Sequence, residues 1–178
     1  METNKQRARP IALGGILLAL LMGNLMLAGT LPSFELTLYA FSSLFSAIMI
    51  LETGMRNGWI FFFAAVLLAF LLLPNKIAIL PYVFFFGPYG PVKYHIESIR
   101  NRIGELVLKL LFFNGSVAMG YLIFGELFFR DIGIPAFPLP LLIPAAQLFF
   151  LLYDAIFTHL IQYYRRRLRP DNRNGGDR

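Results

Sequence analysis

Four polar side chains set into long apolar stretches have the type and spacing to do chemistry. In the apolar stretch 106–129, Asn114, Ala118, Tyr121 and Gly125 recur at three- and four-residue intervals, and Glu126 stands at the edge of the same helical face. In the stretch 138–164, Gln147, Asp154, Thr158 and Gln162 form a second polar stripe. Antiparallel helices joined by a short loop would bring Asn114 and Gln147 to similar mid-membrane depth, with Tyr121 and Glu126 nearer an outer mouth. A few converging polar groups in an apolar surround suit capture of a small solute. Tyr82, from a proline-broken stretch, and Glu35 would line the same pocket. The same residues also fit a plainer role, because Asn114 and Gln147 can bond between helices and Glu126 has Arg130 four residues on. Asp154 needs a partner or a cavity, and Lys109 is the opposite charge nearest to it by topology, giving either a structural ion pair or a proton- or ion-coupling site. Glu52 has Arg56 four residues later and is expected to pair with it.

Catalytic patterns are missing. There is no GxxxxGK[ST] phosphate loop, no HExxH zinc pair and no GxSxG elbow around Ser116, and the two histidines, His95 and His159, fall in different segments. With no cysteine, thiolate chemistry and disulfides are also out. The expectation is a protein that is not an enzyme and carries no metal or cofactor.

The elements that must position these residues are membrane helices. Of 178 residues 57% are hydrophobic and only 15% charged, which excludes an ordinary soluble globular domain with its quarter or so of charged residues. A crossing takes about 20 residues, and six can be placed: 11–34, 34–51, 59–73, 77–92, 106–129 and 138–164. The first is too long for a signal peptide. The fourth carries Pro81 and then Gly87, Pro88, Tyr89, Gly90 and Pro91, so it cannot be straight throughout. Residues 93–108 read as an amphipathic interfacial helix, with Ile96, Ile99, Ile103, Leu106 and Val107 at helical spacing. The fold class is therefore all-α and integral to the membrane: one six-helix domain over 1–168, followed by a disordered basic tail over 169–178.

The net charge of +6 marks orientation and not nucleic acid, since the cations sit at membrane edges. Thirteen fall on the side of the two tails, and only Lys76 and Arg130 on the other. Both termini are expected in the cytoplasm of a multi-pass cell-membrane protein. On the first helix Ala12, Gly15, Ala19 and Gly23 make one small-residue stripe with Asn24 on the far side, suited either to packing within the protein or to docking another membrane protein.

Taken over residues 1–168, the chain resembles the substrate-binding (S) components of energy-coupling factor (ECF) transporters. The likeness lies in size, six helices with both ends inside, the basic start before RPIALGGILLALLMG, and the following loop TLPSFELTLYAF. The resemblance implies a subunit that captures a vitamin, trace nutrient or precursor from outside. A separate transmembrane T component and two ATPase subunits would supply energy, in keeping with the missing phosphate loop. It also implies that Gly15, Ala19 and Gly23 carry the docking motif. The reading from a different class is a non-transporting membrane scaffold, resembling the small cell-morphogenesis proteins of the rod system, which needs a docking face but no pocket.

Overall fold

The computed structural model describes the backbone of residues 2–99, 101–129 and 139–168, and the side chains of 8–99, 101–123 and 143–167. Among them the fold is helical with no strand: α1 (Glu2–Thr30), α2 (Glu35–Thr53), α3 (Met55–Leu72), α4 (Gly87–Ile96), α5 (Arg102–Phe129) and α6 (Leu139–Leu168). Before α4 come a 3₁₀ turn, Ile77–Ile79, and a π-helical turn, Tyr82–Phe86. Five segments are long and apolar enough to cross a membrane: Ala8–Thr30, Pro32–Thr53, Met55–Leu72, Arg102–Ile123 and Ile143–Arg167. Their outward faces fit a lipid surround, because side chains such as Leu67, Leu71, Leu111 and Leu122 stand exposed in numbers that water would not tolerate. The chain divides into two compact units, Met1–Ala136 and Phe137–Arg178, and α6 is described by itself.

Within the first unit, α1 and α2 form an antiparallel hairpin. Pro32 cannot continue α1, and after a single 3₁₀ turn α2 starts at Glu35. Two side-chain bonds fix the pairing: Asn24 Nδ2 donates to the Leu38 carbonyl (2.7 Å), and Arg9 meets Glu52 at 2.8 Å. They lie 15 residues apart on α1 and 14 apart on α2, as in-register antiparallel helices require. Glu52 thus pairs across the hairpin with Arg9 and not with Arg56 one turn on; neighbouring helix ends bring opposite charges together more effectively than the local spacing does. Gly54 makes the reversal into α3 with φ +94°, a backbone state that L side chains rarely adopt. Close α2–α3 contact is enforced at Gly58, where a Cβ would fall 2.2 Å from Ile50 Cγ1.

Two expected segments differ from the structure. Residues 93–108 are not one helix: α4 ends at Ile96, and α5 begins at Arg102 with Asn101 Oδ1 accepting the Ile103 and Gly104 amides at 3.0 and 3.5 Å. The apolar periodicity runs through this break although only Ile96 of the series is buried and Ile99, Ile103, Leu106 and Val107 are exposed; Asn101 caps the second helix and ends the continuity. α1, for its part, begins at Glu2 and includes Pro10, well before the apolar run. The tail 169–178 and the turn 130–137 lie outside the described residues.

Candidate functional site

The broken fourth stretch is the most distinctive local structure. Residues 77–96 run without interruption through 3₁₀, α, π and α turns. Proline explains the irregularity, since Pro81, Pro88 and Pro91 each lack the amide that would close an i→i−4 bond. The Gly87 amide bonds five residues back, to the Tyr82 carbonyl, which defines the π turn. Pro91 cannot donate to Gly87, and the Gly87 carbonyl instead has the Ser46 hydroxyl 3.3 Å away on α2. Ser42, Ser43 and Ser46 are all buried, each with its hydroxyl on a carbonyl three residues back in α2. These small residues let the broken stretch come close: a Cβ on Gly90 would stand 3.1 Å from Ser46 Oγ and 3.3 Å from the Ala47 amide nitrogen.

Aromatic rings surround the π turn. Tyr39 of α2 stacks on Phe86 at 5.8 Å, Phe62 of α3 lies 6.2 Å from Tyr82, and Phe85 contacts Phe112 and Phe113 of α5 at 6.0 and 5.6 Å. The Tyr39 hydroxyl stands between Glu35 Oε1 (3.0 Å) and the Ala78 carbonyl, so Glu35 is tied to the start of the same stretch. Tyr82 is fully buried, and its hydroxyl has no hydrogen-bond partner. A buried phenol normally finds one.

A charged cluster that sequence reasoning missed closes the reversal from α4 to α5. Glu97 Oε1 receives Lys93 Nζ at 2.6 Å and Lys109 Nζ at 3.0 Å, and Glu105 Oε1 holds Lys109 at 2.6 Å. Both lysines are buried, with residue exposures of 2 and 4%, whereas the carboxylates reach the surface. The Lys93 ammonium also lies 5.9 Å from the centre of the Tyr89 ring. A carboxylate beside each ammonium is what allows lysine into such a site. Within its own unit Lys109 has Glu97 and Glu105 beside it. The i,i+4 spacings Lys93/Glu97 and Glu105/Lys109 were visible signals, but the sharing of one Glu97 oxygen depends on the turn between the helices.

The remaining site residues are distributed as follows. Asn114 is exposed on α5 and donates to the Leu110 carbonyl of its own helix (2.8 Å), and Tyr121, two turns further along, is also exposed. The Glu126 side chain lies outside the described residues, and Gln147 is on α6, in the second unit. Gly15, Ala19 and Gly23 share an exposed face of α1. A Cβ on Gly15 or Gly23 would meet nothing within 4 Å, so among the described residues this stripe is not an internal seam. The chain matches no family model, no curated protein and no solved structure in comparisons with known proteins.

Proposed function

We propose that the chain is a membrane-embedded solute-binding subunit of an ECF-type uptake transporter, taking a vitamin or other small nutrient from outside. The observation that carries this reading is the buried, unpartnered hydroxyl of Tyr82 in a proline-broken, π-helical stretch. Interrupted helices expose backbone groups that need protein, water or a guest, and π turns are frequent at functional sites. In this reading residues 77–96 form a sixth crossing, both termini are cytoplasmic, and Tyr82 and Glu35 contribute to the site, Glu35 near its outer mouth. Asn114, Tyr121, Glu126 and Gln147 are the further solute ligands that the sequence offers. The exposed Gly15, Ala19 and Gly23 face receives the T component, which links the subunit to two ATPases; small residues favour such close helix approach in lipid.

The test is mass spectrometry of small molecules carried by the detergent-purified protein, followed by calorimetry of any solute found on wild type and Tyr82→Phe. Loss of one buried hydrogen bond predicts binding weaker by about 5- to 150-fold. Unchanged affinity would remove Tyr82 from the site. Absence of any solute, together with capture of a membrane protein through the α1 face, would favour the scaffold reading instead.

A further inference from the structure

The last turns of α6 join two chemistries on one face. Ile156, His159, Leu160, Tyr163 and Arg166 fall at helical intervals and line a shallow open groove along the helix. Ile156 and Leu160 are 53 and 40% exposed, and the groove ends at Tyr163 and Arg166. His159 Nδ1 is turned back to the Ala155 carbonyl (2.8 Å), leaving the floor of the groove mainly apolar. Arg165, Arg166 and Arg167 are all exposed, and none makes an ion pair among the described residues. The Arg167 guanidinium stands 5.8 Å from the centre of the Tyr163 ring. No acidic residue occurs between positions 155 and 170, so this charge is uncompensated in the sequence. A helix dipole favours cations in its last turn, but it does not account for an apolar groove leading up to them.

From Ile156 to Arg166 the helix rises about 15 Å, half of a hydrocarbon core about 30 Å thick. That is the reach of an acyl chain in one leaflet, with its phosphate at the arginines. We infer that this face of α6 binds an anionic phospholipid, the chain lying along Ile156 and Leu160 and the phosphate held at Arg166 in the field of Arg165 and Arg167. Tyr163 marks the boundary between the two parts, as amphipathic rings do at membrane interfaces. Basic clusters beside a membrane helix gain affinity for anionic lipid with each added cation.

The experiment uses the full chain in neutral detergent, titrated with phosphatidylglycerol or with phosphatidylcholine of the same chains, and counts retained lipid by native mass spectrometry. Phosphatidylglycerol should be retained in preference to phosphatidylcholine. Replacing all three arginines (R165Q, R166Q, R167Q) should weaken its retention on the order of 100-fold, and Arg166→Gln alone about 5-fold. Ile156→Ser with Leu160→Ser should weaken it too, whereas Arg56→Gln, exposed near the start of α3, should not. Should the triple variant fail to fold, the single Arg166→Gln result decides. Equal retention of the two lipids, retention unaffected by the arginine changes, displacement by inorganic phosphate, or lipid-independent dimerisation through this face would each overturn the assignment.

Discussion

Tyr82 and Glu97 are the two side chains whose surroundings give the sharpest tests. A buried hydroxyl without a partner costs about 1–3 kcal/mol in desolvation, so Tyr82→Phe should stabilise the solute-free protein by part of that amount. Denaturant or thermal unfolding in detergent measures it; a loss of stability would mean that the hydroxyl is bonded in the folded protein. Glu97 pairs with two buried lysines, and Glu97→Gln removes that shared counter-charge at a cost of about 2 kcal/mol after allowing for its partial exposure. Glu52→Gln is the comparison, because its partner Arg9 is 72% exposed and such pairs contribute about 0–1 kcal/mol. Similar losses in the two variants would show that the α4–α5 cluster behaves as an ordinary surface pair. These assignments also mark what single residues disclose in a sequence. The i,i+4 spacing marks the local halves of the lysine–glutamate cluster, yet applied to Glu52 it picks Arg56 in place of Arg9, since a contact 43 positions away depends on the register of two helices.

At the scale of elements, the proline break in the fourth stretch was legible and its geometry was not. GPYGP removes amides at known positions, so a straight α-helix was excluded from the outset. That the chain answers with a π turn at Tyr82–Phe86, and that Ser46 takes up the Gly87 carbonyl, follows from how α2 lies alongside. The apolar period of residues 93–108 was equally real yet concealed a helix end, because hydrophobic spacing is blind to the cap at Asn101. The packing predicts different outcomes on two glycine-bearing faces. Gly90→Leu forces the broken stretch off Ser46 and Ala47 and should cost about 1–3 kcal/mol, the range for overpacking. Gly15→Leu with Ala19→Leu faces open space, so folding should survive while pull-down of membrane partners weakens. Loss of folded protein in the α1 variant, with Gly90→Leu tolerated, would reverse the roles given to the two faces.

For the whole molecule, the broken stretch decides the topology. Five helices have the length and apolarity of a crossing, and an odd number would leave the termini on opposite sides of the bilayer. Residues 77–96 supply 20 further residues in continuous helical turns, about 30 Å at 1.5 Å per residue, enough to cross once. If that crossing is made, the number is even, both termini share one side, and the thirteen-to-two distribution of cations favours the cytoplasm for that side. A kinked segment can cross only where neighbouring protein covers its freed backbone, and α2 does this through Ser46 and the glycines facing it. Reporter fusions at Arg178, at the N-terminus and in the residue 130–134 turn should therefore read inside, inside and outside. Opposite readings from the two termini would show that residues 77–96 dip into the membrane and return. That result would place Glu35 and Glu97 on one face of the bilayer and so remove the outward mouth on which the uptake reading depends.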